Sequence, residues 1–171
     1  MLEYLLILRV IHITTGVFWA GAAIMLAYFL LPATAASGPE GSRVMRQLAM
    51  TNNFPMVMNV AAVLNILSGL MLYDSMSNHF QAEWIHSTHG MTLTIGGLAA
   101  LVAFFMGFTI NRPAGMRMAE IGKAIAASGG KPNESQAAEM AAIGKKLTKT
   151  TKRIAVFLII AVLTMSMAKY I

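Results

Sequence analysis

Apolar residues along this chain gather into four long runs separated by polar segments. The first covers residues 2–31, interrupted by Glu3, Arg9 and His12. The second covers 54–73, the third 84–110 and the fourth 154–170. A bilayer core takes about 20 apolar residues of helix, with about 17 as the short limit. Each run therefore predicts a spanning helix, the fourth barely. The first does not read as a cleaved leader, because it lacks a basic start, its apolar stretch is too long and a charge sits inside it. The fourth helix is expected to begin well before its apolar run. Asn133 can cap a helix opening at Glu134, with Gln136 placed to bond back, and nothing breaks the pattern from there to residue 170. Arg117 to Ala127 also suits a helix, broken by Ser128-Gly129-Gly130. The expected fold is all-α: one integral membrane domain over 1–171, a four-transmembrane-helix bundle with a helical cytoplasmic segment between helices three and four.

Composition supports a membrane setting. The chain is 57% hydrophobic and only 12% charged, where soluble domains average about 25% charged. A net charge of +6 would suggest nucleic acid in a soluble protein. Here the cations cluster as the cytoplasmic bias of a membrane protein does. Arg43 and Arg46 follow the first run. Nine Lys and Arg lie between Asn111 and Arg153, and none lies between the second and third runs. Both termini are then expected outside, with Tyr4, Tyr73, Trp84 and Tyr170 at the outer boundary where aromatic belts form. The expected partner is the lipid bilayer, with no nucleic acid. The Lys145–Arg153 cluster reads as a solvated helix beside anionic headgroups. The absence of cysteine excludes disulfides, thiolate zinc or iron–sulfur sites and a thiol nucleophile.

Histidines carry the candidate chemistry, because ionisable groups inside membrane helices are costly. His12 lies about 13 Å deep at 1.5 Å per residue. His89 lies one to two turns into helix three, and His86 one turn shallower on the same face. Small residues follow each at helical spacing: Gly16, Ala20, Ala23 and Ala27 after His12, and Gly96, Ala100, Ala103 and Gly107 after His89. Such stripes serve close helix packing or leave lateral room for a flat macrocycle. On the first reading, helices one and three should be direct neighbours through Gly16/Ala20 and Gly96/Ala100. On the second, His12 and His89 would ligate haem iron, with the shallower His86 as the alternative second ligand and Arg9 three residues from His12 to pair a propionate. The alternatives are hydrogen-bonded buried histidines and an arginine snorkelling to the headgroups. His79 reads as a solvated loop residue. Fifteen methionines could suit Cu(I) beside imidazole, but their dispersion favours gap-filling in an apolar core. No nucleophile–base pair, carboxylate pair or phosphate loop is present.

Ile11-His12-Ile13, Trp19 seven residues on, the small residues after it and Pro32-Ala33 together resemble the first helix of copper-resistance-D-like membrane proteins. The same pattern marks their relatives, the bacterial haem-binding protoporphyrinogen oxidases. The segment Gly90-Met91-Thr92-Leu93-Thr94-Ile95-Gly96-Gly97, then Arg112-Pro113-Ala114 and Met167-Ala168-Lys169-Tyr170, looks like an uncharacterised branch of this group. The resemblance implies an inner-membrane helical bundle in which His12 matches the haem-ligating histidine, with Trp19 and Gly16 beside it. The oxidases carry a lysine two residues after a helix-three histidine. Trp84-Ile85-His86-Ser87-Thr88 has Thr88 there, which argues against oxidase activity and leaves His89 to replace the lost ligand.

The expectation is therefore a bacterial inner-membrane protein binding b-type haem through His12 and His89 for electron transfer, with a membrane redox partner or a second copy of itself. An imidazole pair favours six-coordinate iron over oxygen binding, which needs an open position. The alternatives are a copper homeostasis or transport component and a cofactor-free accessory subunit of a membrane complex.

Overall fold

The computed structural model describes residues 2–171, the side chain of Pro39 excepted. It is all-helical, and among the described residues there is no strand. Four helices are long and apolar enough to cross a membrane: α1 (Leu2–Ala36), α3 (Phe54–Met76), α5 (Thr88–Ala127) and α6 (Glu134–Tyr170). Two short helices join them, α2 (Gly38–Arg46) and α4 (Ala82–Ile85).

The helix ends differ from the runs that predict them, for local reasons. Helix α1 continues past Leu31 to Ala36 through a five-residue π turn, Leu26–Leu30, in which the Leu31 N–H reaches back to the Leu26 carbonyl. Pro32 follows at once. Proline lacks an N–H and its ring crowds the carbonyl four residues back, and a widened turn just before it relieves that crowding. The device recurs at Gly107–Asn111 before Pro113, so α5 runs on from the third apolar run to Ala127. Apolar content falls near both prolines while the helix does not.

The start of α5 is later than the run suggests. Trp84 belongs to α4, and the chain breaks at His86-Ser87. Ser87 is extended and its hydroxyl accepts the Gly90 N–H at 3.0 Å, an N-cap. Gly90 permits the fold-back, since a Cβ there would stand 2.0 Å from the Trp84 carbonyl oxygen. His86 thus lies outside α5 and does not share a helix face with His89, contrary to expectation. Helix α3 runs three residues beyond its expected end and stops at buried Ser77. There the chain turns through Asn78, His79 and Phe80, all with positive φ. The Ser77 hydroxyl accepts the Phe80 N–H at 2.9 Å.

The start of α6 is as expected. Asn133 accepts the Gln136 N–H at 2.8 Å, and the Gln136 side chain accepts the Asn133 N–H at 3.0 Å. Replacing Asn133 with alanine should cost about 1 kcal/mol of helix stability. Hydrogen exchange confined to the first turn of α6 would register it. Nearby, Arg117 of α5 donates to Glu139 of α6 at 2.7 and 3.1 Å and to Glu120 at 3.3 Å. The hydrogen bonds from Arg117 hold the Glu139 carboxyl below its ordinary range. This contact is complete above the ordinary carboxyl value and is lost as pH falls through the depressed one. In a carboxyl NMR titration, Arg117→Gln should move the Glu139 midpoint upward. An unmoved midpoint would mean the ion pair does not form.

Packing is by pairs. Helix α1 lies along α3 and α5 along α6, with α1 also touching α6. The shared core is mostly alanine (Ala20, Ala23, Ala61, Ala62, Ala99, Ala100, Ala103, Ala161) around Trp19, Ile154 and Leu158. Bulky apolar side chains such as Leu6, Ile13, Leu98 and Leu163 point outward. Small residues inside and large apolar ones outside suit helices surrounded by lipid, which associate by close approach rather than by escape from water. One expected neighbour relation fails. The glycine faces of α1 and α5 do not meet. A Cβ at Gly16 would stand 2.8 Å from the Asn65 amide nitrogen of α3, and one at Gly96 would stand 2.5 Å from the Thr164 hydroxyl of α6. Each stripe admits a polar side chain from the adjacent helix.

Candidate functional site

His12 sits half-buried where α1 crosses α3. Its Nδ1 lies 2.9 Å from the main-chain carbonyl oxygen of Asn65. A carbonyl can only accept, so Nδ1 carries a proton, and in the neutral ring Nε2 keeps its lone pair. The ring passes over Gly69, where a Cβ would stand 2.8 Å from Cε1 and 3.1 Å from Nδ1. No other residue type fits there without moving the imidazole. Asn65 returns a bond in the other direction, its Nδ2 donating to the His12 main-chain carbonyl at 2.7 Å. Ser68 is buried one turn on and donates to Leu64 of its own helix at 2.6 Å.

His89 has the same arrangement on a different neighbour. Its Nδ1 lies 2.6 Å from the Ala168 carbonyl oxygen, where α6 ends. Its ring stands edge-on to Trp84, centroids 5.8 Å apart, and Trp84 stands edge-on to Tyr73 at 5.2 Å. The Tyr73 hydroxyl meets that of Thr94 at 2.5 Å. His89 Nδ1 therefore also carries a proton, and in the neutral ring Nε2 is the free nitrogen. The structure engages the two rings on different helix pairs, His12 with α3 and His89 with α6, and does not set them against each other.

The remaining expected residues fall as follows. His86 is exposed and its Nδ1 bonds the Ala82 carbonyl at 2.7 Å. His79 is exposed, beside Asp74 at 3.2 Å. Arg9 is exposed, three residues before His12, and among the described residues it joins no ion pair. Trp19 is buried in the alanine core, and the bare face of Gly16 is taken by the Asn65 amide. That face offers no lateral room for a macrocycle. Asn65 escaped the sequence reading, although an amide inside an apolar run is a group that must find a partner. Its spacing of three and four residues from Ser68 and Gly69 was the available signal.

Among the described residues, no three His, Cys, Asp or Glu side chains converge as a metal site. Neither two axial imidazoles nor a methionine–imidazole copper set would form such a group, so this absence bears on neither reading. No family model matches this chain, and neither does any curated protein or solved structure.

Proposed function

We propose that this chain is a multi-pass protein of the bacterial inner membrane, with both termini outside and Asn111–Arg153 in the cytoplasm. In this reading it binds b-type haem through His12 and His89 and passes electrons. One observation carries it: both imidazoles set Nδ1 against a backbone carbonyl, which in the neutral ring leaves Nε2 as the lone-pair nitrogen. Ligating histidines use this outer-shell contact to fix the ring and raise its basicity. Imidazoles so oriented are the donor type of b-type haem, which when bound would supply one-electron chemistry. Because the two rings face different helix pairs, one iron would take both only if α1 and α5 close on it or a second copy supplies one of them. His12 and His89 would hold the iron. Arg9, at the expected outer end of α1, is placed to pair a propionate. The likeness to copper-resistance-D-like proteins points the same way at His12, and Thr88 argues against the oxidase activity of their relatives.

The absorption spectrum of the purified protein tests the proposal. A Soret band with the sharp reduced α and β bands of bis-imidazole iron is expected. One haem per chain supports the His12–His89 pair, whereas one per two chains would assign the second ligand to a second copy. Folded protein without a Soret band, even with haem supplied during expression, would refute haem binding.

A further inference from the structure

Asn65 is 6% exposed in the middle of an apolar helix, and its amide reaches off that helix. Asn65 Nδ2 donates to the His12 main-chain carbonyl at 2.7 Å, while its own main-chain carbonyl accepts His12 Nδ1–H at 2.9 Å. The same two residues are thus tied twice, side chain to main chain in each direction, between two helices. Two glycines make the room. Alanine at 16 would bring a methyl within 2.8 Å of the Asn65 amide, and alanine at 69 would bring one within 2.8 Å of the His12 ring.

An amide buried among apolar side chains is costly without a partner. This one has its donor satisfied on the helix that carries the histidine. Leaving the His12 carbonyl without Asn65 would release the α1–α3 register that sets the Asn65 carbonyl under Nδ1. We infer that Asn65 is the positioning residue of His12, holding the ring in the Nδ1–H tautomer with Nε2 as the lone-pair nitrogen. The inference rests on the reading of His12 as a ligand, but the tautomer can be read with no haem present. Free neutral imidazole prefers its proton on Nε2, so an Nδ1–H ring in the apoprotein is the mark of this latch.

The test is nitrogen-15 NMR of haem-free, histidine-labelled full-length protein in detergent or bilayer, above the ordinary imidazole range. The His12 signal is assigned by its loss in His12→Gln. Wild type should show Nδ1 protonated and Nε2 bare. Asn65→Leu, similar in size but without a donor, should lower the ratio of the two tautomers by about tenfold, the scale of one hydrogen bond. Gly16→Ala should do the same with Asn65 still present, and it carries the test if Asn65→Leu does not fold. Thr109→Ala should change nothing, because that hydroxyl is exposed and bonds its own helix. An Nε2–H ring in wild type, or an unmoved tautomer in the folded variants, overturns the inference. A tautomer that shifts as expected in a protein that never takes up haem keeps Asn65 in this role and removes the haem reading instead.

Discussion

Replacing His12 with alanine is expected to abolish haem retention, leaving a folded protein without a Soret band. On the proposed role the substitution would remove an iron-holding nitrogen, and it leaves the Asn65 carbonyl without its donor. The hole lies over Gly69, which has no side chain to fill it. Imidazole supplied in solution should therefore enter that space and restore part of the band. His89→Ala should keep some haem but change its spin state, and Arg9→Gln should lower retention without altering the ligand spectrum. His79→Ala should do nothing, since that ring is solvent-exposed beside Asp74. A His12→Ala protein with full haem content and an unchanged spectrum would remove His12 from the site. His89 paired with another ligand would then become the leading assignment.

A second large effect is expected from single cysteines in this cysteine-free chain. Residue 81, exposed in the turn between α3 and α4, should react with an impermeant thiol reagent in intact cells. Residue 128, exposed at the end of α5, should react only after the cells are opened. The expectation rests on charge: nine Lys and Arg lie in the Asn111–Arg153 segment and none lies between the second and third apolar runs, an asymmetry that orients membrane chains. Ser77 would be the wrong reporter for that turn, because it is fully buried and caps Phe80. Labelling at 128 but not at 81 in intact cells would invert the arrangement.

What the sequence showed and what it hid follow from the range of each interaction. The Asn133 and Gln136 cap was legible because both of its bonds close within four residues. The four apolar stretches were legible because membrane length sets their scale. Helix ends were not, because Pro32 and Pro113 coincide with the loss of apolar residues, while the π turns that carry the backbone past them leave little compositional trace. The neighbour of each small-residue stripe was hidden for another reason. Gly16 and Gly96 announce that something comes close but not what does, and each receives a polar group from the adjacent helix. The His12 site was half-visible: the histidine stood out as a titratable group, while neutral Asn65, 53 residues away, did not.

The continuity of α5 has a mechanical consequence. Past its π turn it extends Arg112–Ala127 as a further 16 residues of helix. Arg117 clasps that stretch to Glu139, and the Asn111 amide reaches Thr151 at 3.1 Å. At 1.5 Å per residue the extension is about 24 Å long, so a tilt of about 10° at its base moves its tip by about 4 Å. The Gly129–Gly130 hairpin at that tip is thus the far end of a lever whose fulcrum lies near the edge of the apolar zone. Because Arg117 and Asn111 tie the extension to α6, such a tilt would carry the start of α6 with it.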